Sequence, residues 1–396
     1  MLNPSIDASF SPGYTQNVMR ILGIETSCDE TAIAIVSGQG DRLIVEKNVV
    51  LSQIPTHQKY GGVVPEVAAR EHVRAISPMI NHELPRDGAG IDVIAVTAGP
   101  GLSPALRIGV EVAKTLAVTW QKPLIALSHL EGHIYANWLG DSPPFQGACL
   151  SVGRGLGGGS ASEGTETPQF PALCLVVSGG HTELILMKDH GVFERLGETL
   201  DDAVGEAFDK VASMLGLPYP GGPAVSLLAE GGDIAAFNFP RGLLDRDDFD
   251  FSFSGVKTSV LYTLRKNEDK LNDQTFRKNI AASFQEAAVD VLVQKTMRAA
   301  EKCQPASIVL AGGVAANKSL RERLQETVQR TSPNPSLLRG GSVERGGLST
   351  RLYLPAMKYA TDNAAMMAAA GYFRAQDEKN FVDPLTLAAD SNLDIV

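Results

Sequence analysis

The stretch RILGIETSCDETAIAIV (residues 20–36) predicts a β-hairpin closed by the polar turn ETSCDE. The apolar runs on either side of this turn are rich in β-branched residues, which is typical of paired strands. The same design returns later in the chain, where strands Ala172–Val177 and Thr182–Met187 flank the tight turn Ser178-Gly179-Gly180-His181. Two hairpins of one design indicate an internal repeat.

A second pattern also occurs twice. Residues Ile91–Thr97 read as a buried strand that ends in Ala98-Gly99-Pro100-Gly101 and leads into a helical run. Residues Ser307–Leu310 read as another, which ends in Ala311-Gly312-Gly313 and leads into a helix from about Asn317 to Val328. Each half therefore holds a hairpin and then a strand, a glycine turn and a helix. We expect a duplicated α/β fold.

Two such halves predict a cleft between them, which is a common place for a ligand. Glycine turns at strand ends expose backbone N–H groups, and a helix that follows such a turn adds a field favourable to phosphate. We therefore expect both kinds of turn, SGGH at 178–181 and AGPG at 98–101, to form phosphate cradles that face the cleft.

The bulk composition is that of a globular protein with one large or two to three ordinary domains in its 396 residues. No apolar run reaches the roughly 18 residues that a membrane span needs. Four cysteines without a CxxC pair suit a reducing compartment and argue against a disulfide framework. A net charge of −10 disfavours a general nucleic-acid coat, although a nucleic-acid substrate stays open where basic residues cluster.

Shifts in composition set the predicted domain bounds. Residues 1–18 are polar and lack the apolar core of a signal peptide, so we expect a disordered extension there. Residues 141–170 and 331–350 are rich in Gly and Ser, and we expect flexible insertions. The remaining divisions are an N-terminal lobe at 19–140, a C-terminal lobe at 171–380, which contains the second insertion, and a tail at 381–396.

The stretch HLEGH holds two histidines, His129 and His133, that lie one turn apart if it is helical. Both imidazoles can then reach one metal ion, and two ordinary helix histidines are the alternative. A zinc peptidase would need a glutamate directly after the first histidine, where this chain has Leu130. Glu131 comes one place later and points to roughly the opposite face of the helix. A third ligand must therefore come from elsewhere.

Candidates for further ligands lie in the second half of the chain. Asp362 stands just before the run AAMMAAA, where either it or Thr361 is predicted to cap a helix. Its carboxylate is also a hard oxygen donor at a fixed position, and so a candidate third metal ligand.

The segment Thr199–Leu217 predicts a helix opened by a capping box of Thr199 and Asp202. Residues 220–223 (PGGP) predict a tight turn where backbone can approach a ligand, or a plain loop.

Ten segments occur in the order expected of the TsaD family, the universal tRNA threonylcarbamoyladenosine synthases once misnamed glycoproteases. These segments are ILGIETSCDETAIAIV, HQKYGGVVPEVAAREH, AVTAGPGLSPALRIG, ALSHLEGHIYA, LVVSGGHTELI, DDAVGEAFDKVA, YPGGPA, FSFSGVKTSV, AGGVAANKSLRERL and TDNAAMMAAA. The chain resembles this family over about residues 19–375, apart from the two insertions. The resemblance implies the duplicated actin/Hsp70/sugar-kinase-like (ASKHA) α/β fold, with two lobes and a central nucleotide cleft.

The resemblance also implies a reaction. Threonylcarbamoyl-AMP would donate its threonylcarbamoyl group to N6 of adenosine 37 in tRNAs that read codons beginning with adenine, forming t6A and releasing AMP. It implies a cytoplasmic enzyme without a membrane anchor that works with a TsaB-like paralogue and a TsaE-like ATPase. An acyl adenylate is already activated, so the absence of a peptidase glutamate agrees with a reaction that needs positioning more than a metal-bound hydroxide.

Site residues carry over motif by motif from the resemblance. His129, His133 and Asp362 would bind one divalent metal ion, iron or alternatively zinc. The adenylate or nucleotide would be held by Val176, Val177, Ser178, Gly179, Gly180, Asp209, Gly222 and Asn317. No general base can be named, although Glu25 and Asp29 are candidates by position and could instead order the loop. Candidate tRNA contacts, for which simple surface charge is the alternative, are Lys257, Arg265, Lys266, Arg321 and Arg323.

Three other functions stay open at this point. A small-molecule kinase of the same fold would need an acidic base and a magnesium-nucleotide site, for which two histidines and an aspartate are foreign. A metallopeptidase is disfavoured by Leu130. A scaffold without catalysis need not keep the three metal ligands.

Overall fold

The computed structural model describes residues 18–140, 167–331 and 350–396. The extension predicted at 1–18 and the insertions predicted at 141–170 and 331–350 lie outside the described residues, except at their edges. Within the described part, the chain forms two mixed β-sheets surrounded and separated by α-helices.

The strands are β1 (Met19–Glu25), β2 (Glu30–Gln39), β3 (Arg42–Ser52), β4 (Val93–Gly99), β5 (Leu124–Ser128), β6 (Ala172–Val177), β7 (Thr182–Asp189), β8 (Val192–Glu198), β9 (Ser307–Ala311), β10 (Arg351–Tyr353) and β11 (Phe381–Val382). The α-helices are α1 (Ile54–His57), α2 (Pro65–Glu83), α3 (Ser103–Trp120), α4 (His129–Tyr135), α5 (Val204–Met214), α6 (Gly221–Ala229), α7 (Ser254–Lys266), α8 (Gln274–Cys303), α9 (Lys318–Thr331), α10 (Met357–Ala360) and α11 (Ala364–Arg374).

The two sheets share one topology. The first runs β3-β2-β1-β4-β5, with β11 added beside β5, and the second runs β8-β7-β6-β9-β10. In each sheet the first strand of the hairpin pairs antiparallel with the second and parallel with the strand that follows the next connection. The same order and the same directions in both halves confirm the predicted duplication.

The molecule is layered, and both sheets are covered on both faces. Helices α2 and α3 cover the outer face of the first sheet, and α5 to α9 cover the outer face of the second. Helices α4 and α11 fill the layer between the sheets. Central strands β4 and β6 are buried along their whole length, which explains why they read as continuous apolar runs. None of the described helices combines the length of a membrane span with the apolar composition it needs.

The C-terminal part of the chain returns to the first sheet. Helix α11 contacts β1, β2 and β4, and β11 pairs antiparallel with β5. The sequence analysis assigned these residues to the C-terminal lobe and the tail, and those bounds stay a prediction. The packing shows that the last helix of the second half completes the core beneath the first sheet.

One predicted helix boundary is wrong. The helix expected from Thr199 begins at Val204, because Oγ1 of Thr199 donates a hydrogen bond to the carbonyl oxygen of Asp202 and does not cap the helix. The Asp202 carboxylate lies 2.9 Å from Nζ of Lys210 and 2.5 Å from Nζ of Lys257. Two lysine partners therefore replace the expected capping box.

Glycine at position 23 lets α11 lie close against β1. A β-carbon on Gly23 would stand 2.2 Å from the carbonyl oxygen of Ala364 and 2.8 Å from the amide nitrogen of Ala368. On the helix, a β-carbon on Gly371 would stand 2.5 Å from Cβ of Ala95. The helix thus approaches the strands more closely than a larger residue at either position would allow.

We expect Gly23→Ala to lower the free energy of unfolding by about 1–3 kcal/mol, because the added methyl group forces α11 away from β1. Gly255→Ala in α7 is the matched control, since no atom lies within 4 Å of the place its β-carbon would take. Chemical denaturation of both variants measures the difference. Equal stability of the two would contradict the close approach of α11.

Candidate metal centre and nucleotide cleft

The two histidines of HLEGH lie on a helix, as predicted. Helix α4 begins directly after β5, with His129 as its first residue and His133 one turn later. Both are buried, and their ring centroids are 4.6 Å apart at an interplanar angle of 79°. Glu131 does not join them, because its carboxylate lies 3.4 Å from Nε of Arg374 on α11. The geometry therefore disfavours the peptidase alternative.

Asp362 lies in the short connection between α10 and α11. The residue that caps α11 is Asn363, whose side-chain oxygen accepts a 3.1 Å hydrogen bond from the N–H of Met366. The prediction that Asp362 or Thr361 is the cap is therefore wrong. Because its neighbour takes that role, the Asp362 carboxylate is available to the histidines of α4.

The three predicted metal ligands converge. Oδ1 of Asp362 lies 3.1 Å from Nε2 of His133 and 3.5 Å from Nε2 of His129. One ligand atom from each residue lies within 4.8 Å of the other two. Nδ1 of the buried His133 has no hydrogen-bond partner among the described residues, and Nε2 faces Asp362, so the ring can bind a ligand beside that carboxylate. Two imidazoles and one carboxylate suit iron or zinc, so these residues form a candidate metal-binding triad.

Burial and neighbouring charges set the protonation of the triad. Burial raises the pKa of Asp362, but His129 and His133 outweigh it and hold this pKa well below its usual range. Burial and the charge of His129 lower the pKa of His133. Burial also opposes charge on His129, yet Glu25 and Asp362 raise its pKa well above the usual value. Asp362 and His133 are thus in the forms that bind a metal, and His129 would release its Nε2 proton on binding one.

Glu25, a candidate base, lies behind His129 at the end of β1. Its Oε2 is 2.9 Å from Nδ1 of His129 and accepts a 2.6 Å hydrogen bond from Oγ1 of Thr97. Its Oε1 accepts a 2.5 Å hydrogen bond from the N–H of Ser27. The side chain is fully buried, so both oxygens are engaged inside the protein. The sequence analysis missed Thr97, whose one signal is a hydroxyl in the otherwise apolar strand β4.

Asp29, the other candidate base, lies in the same turn but in different surroundings. It is buried, and its Oδ2 has no hydrogen-bond partner among the described residues. The next residue, Glu30, has a pKa raised to about 9 by burial, then by Asp362 and by Asp29 itself. Glu30 is therefore protonated at neutral pH, with Asp29 as a hydrogen-bond partner.

The turn between β6 and β7 is open to a ligand. The N–H of Ser178 donates a 2.9 Å hydrogen bond to the carbonyl oxygen of His181 and closes the turn. Gly179 and Gly180 are exposed, and no atom lies within 4 Å of a β-carbon at either position. Burial lowers the pKa of His181 to about 4, and the two histidines of the triad add to the effect. Helix α4, which carries the two histidines of the triad, packs against β6, the strand that leads into this turn.

The other predicted nucleotide residues continue from this turn. Val176 and Val177 have fully buried side chains, and their backbone pairs with β7 and, at Val176, also with β9. Oδ1 of Asp209 on α5 accepts a 2.8 Å hydrogen bond from the N–H of Gly221, and burial raises the pKa of Asp209. Gly222 has open space around the place of a β-carbon. The segment at 220–223, expected as a tight turn or a loop, leads into the first turn of α6.

Asn317 joins three helices next to this surface. Its Nδ2 donates 3.0 Å hydrogen bonds to Oγ of Ser226 on α6 and to Oε1 of Gln285 on α8. Its Oδ1 accepts a hydrogen bond from the N–H of Leu320 at the start of α9. The side chain therefore fixes the helices that border the predicted adenylate site.

The AGPG turn at 98–101 is not a phosphate cradle, contrary to the sequence prediction. The C-terminal residues cover it, since the N–H of Asp390 donates a 2.8 Å hydrogen bond to the carbonyl oxygen of Ala98. A β-carbon on Gly99 would stand 1.8 Å from the carbonyl oxygen of Asp390. The N–H of Gly101 is directed at the carbonyl oxygen of Ser391, 3.4 Å away. No space for an anion is left on this side of the turn.

The five basic residues considered for tRNA contact differ in their surroundings. Lys257 and Arg323 form ion pairs with carboxylates, and Arg321 donates to backbone carbonyl oxygens. These three stabilise the fold. Arg265 and Lys266 are exposed in the last turn of α7 and are the better candidates for a nucleic-acid contact.

Comparisons with known proteins identify the family of this chain. The sequence model described as "TsaD: tRNA N6-adenosine threonylcarbamoyltransferase" matches residues 44–156 and 159–369. A curated relative of that name from Thermomicrobium roseum is 46% identical over 379 residues, covering 90% of this chain and 92% of the relative. Those from Symbiobacterium thermophilum and Bacillus subtilis are 47% and 45% identical, covering 89% and 90% of this chain and 91% and 90% of their own.

The fold has a counterpart among solved structures. The crystal structure of HypF from T. kodakarensis superposes with a TM-score of 0.51 at 13% identity, covering 91% of this chain. This chain spans 48% of the length of that protein, so the likeness concerns the fold alone. Together with the repeated sheet topology, it supports the predicted actin/Hsp70/sugar-kinase-like fold.

We expect Asn363→Ala to lower the free energy of unfolding by about 1–2 kcal/mol, because α11 loses its N-cap. Asn363→Ser keeps a side-chain oxygen at the cap and should recover most of this loss. Chemical denaturation of the metal-free protein measures both. If Asn363→Ala is as stable as the parent, Asn363 is not the cap.

Proposed function

The chain belongs to the TsaD family, and from this membership we propose that it is a tRNA N6-adenosine threonylcarbamoyltransferase. It transfers the threonylcarbamoyl group of threonylcarbamoyl-AMP to N6 of adenosine 37 in tRNAs that read codons beginning with adenine. The products are t6A and AMP. The observation that carries the proposal is the convergence of His129, His133 and Asp362 beside the open glycine turn of the second half.

The triad fits the divalent metal ion that the family implies. It offers two imidazole nitrogens and a carboxylate oxygen, and Nε2 of His133 already faces the Asp362 carboxylate. We propose iron as the resident metal, with zinc as the alternative. A metal bound there would polarise an oxygen of the threonylcarbamoyl group and help to hold it.

The protein's own residues have to orient the reactants and bind the leaving group. The N6 amine attacks the carbonyl carbon of the mixed anhydride, a C–N bond forms, and the C–O bond to the phosphate breaks. Because the donor is already activated, alignment of the two reactants is the main demand on the protein. The exposed backbone at Gly179 and Gly180 is suited to the negative charge that develops on the departing AMP. The proton lost from N6 needs an acceptor, and we propose Asp29 for this role from its place in the first hairpin turn.

The adenylate is proposed to lie along the second half of the molecule. Ser178, Gly179 and Gly180 form the phosphate end of this site, with the backbone of Val176 and Val177 behind them. Asp209, Gly222 and Asn317 form its nucleoside end, following the surface from α5 to α6 and α9. This placement sets the reacting carbonyl between the glycine turn and the metal centre.

The macromolecular partners and the location follow from the same proposal. The substrate is tRNA, and the enzyme acts in the cytoplasm together with a TsaB-like paralogue and a TsaE-like ATPase. A chain of net charge −10 has few basic residues to spare for an anionic substrate, so a partner that carries part of the tRNA surface is in keeping with it.

Replacement of His129, His133 or Asp362 by Ala should abolish metal binding and lower the rate of transfer by more than about 100-fold, since even residues that only orient a metal ligand are worth about 10–100-fold. His82→Ala is the control, because that side chain is 83% exposed and remote from α4. Metal content by elemental analysis and t6A by mass spectrometry of digested tRNA measure the two effects.

The assay contains the full chain, its partner proteins, threonylcarbamoyl-AMP and unmodified tRNA. Formation of t6A and AMP in equal amounts supports the proposal. A folded, metal-loaded protein that forms neither product disproves it. If the His129→Ala variant still transfers the threonylcarbamoyl group, the metal is not required for the reaction.

A further inference from the structure

Glu25 is a charged side chain in a fully buried place, and three hydrogen bonds hold it there. Its Oε1 accepts from the N–H of Ser27, and its Oε2 accepts from the hydroxyl of Thr97 and from His129. A buried carboxylate is costly unless its oxygens are paired in this way. The pairing shows that the surroundings are built for a carboxylate at this position.

The directions of these bonds determine which nitrogen of His129 carries a proton. A carboxylate can only accept, so the 2.9 Å contact of Oε2 requires a proton on Nδ1 of His129. Oγ of Ser27 lies 3.1 Å from the same nitrogen. The opposite nitrogen, Nε2, is the one 3.5 Å from Asp362. In the neutral ring, the lone pair therefore points towards the candidate metal centre.

We propose that Glu25 is a positioning residue, which fixes the orientation and the tautomer of His129 so that Nε2 can bind the metal, and that it is not the base of the transfer reaction. The inference rests on the proposed metal site. Carboxylates that hold a metal-binding histidine through its second nitrogen are a recurrent arrangement, and they raise the basicity of the ligand. Thr97 completes it by occupying the same oxygen of Glu25.

The position of Glu25 excludes the role that its place in the sequence suggested. A base must come within hydrogen-bond distance of the proton that it removes. Glu25 has no exposed surface, and His129 stands between it and Asp362. Its charge therefore acts on the reaction through His129.

The test is the Glu25→Gln variant, with Co²⁺ as the probe of the metal site. The nitrogen of the amide must face either Ser27 or the pair Thr97 and His129, all of which donate, so one contact is lost in either orientation. We expect Co²⁺ affinity to fall by about 10–100-fold. A second readout is the ¹⁵N spectrum of the metal-free protein at a pH where His129 is neutral, in which the ring proton should lie on Nδ1 in the parent and move towards Nε2 in the variant. A merely structural role would not change this signal.

Glu30→Gln is the matched control, because Glu30 lies in the same turn and its Oε1 accepts a hydrogen bond from Oγ of Ser52 on β3. Its Co²⁺ affinity should equal that of the parent. Thr97→Val leaves the carboxylate in place and should weaken Co²⁺ binding by a smaller factor than Glu25→Gln does. If Glu25→Gln fails to fold, Thr97→Val takes its place as the test.

The outcomes separate this inference from the proposed function. If Glu25→Gln, or Thr97→Val in its place, binds Co²⁺ as tightly as the parent, the inference is overturned. If the parent forms t6A while Glu25→Gln keeps its metal and loses transfer, Glu25 is the base and the proposed function stands. A parent that forms no t6A refutes the proposed function, whatever the variant does to Co²⁺ affinity.

Discussion

The contact between α4 and α11 is the constraint on which the candidate site depends. The two helices share the buried layer between the sheets, where α4 carries the two histidines and Asp362 lies just before α11. A β-carbon on Gly132 of α4 would stand 2.3 Å from Sδ of Met367 on α11, so the helices touch where a glycine is required. Any change that separates them also separates Asp362 from the two histidines.

This packing also explains why the triad lies in a place that is unfavourable for charge. Glu25, His129 and Asp362 form an alternating row of negative, positive and negative groups in the core. Such a row costs desolvation energy that its internal attractions offset only with good geometry. A core selected for stability alone would avoid burying these three charged groups, so their presence is consistent with selection for a functional site. A metal that binds only the folded state would stabilise that state.

The sequence predicts the repeat and both histidines because their signals are local. Period-two apolar runs, glycine turns and a four-residue spacing each depend on neighbours in the chain. The cap of α11 is harder, since Thr361, Asp362 and Asn363 are all good caps and only the fold decides among them. At the start of α5, the N–H of Val204 donates to the hydroxyl of Thr182, which lies in another element of the chain.

Long-range contacts account for the remaining differences. Nothing in AGPG at 98–101 indicates that Asp390, almost three hundred residues later, will cover it. The role of Thr97 is equally hard to predict, because its hydroxyl can donate to Glu25 only when β1 and β4 lie side by side in the folded sheet. The conformations that these residues adopt follow from tertiary neighbours, which single-sequence patterns do not encode.

The two halves share a topology, yet their turns have diverged in opposite directions. The first hairpin turn is acidic and buried, and it supports a histidine through Glu25. The second, at 178–181, is small and open, with backbone suited to an anion. The AGPG turn of the first half is covered, whereas its counterpart at 311–313 leads to Asn317 and the helices that border the adenylate site. A duplicated fold thus supplies two unlike surfaces, one for a metal and one for an adenylate, and a transfer between them needs both.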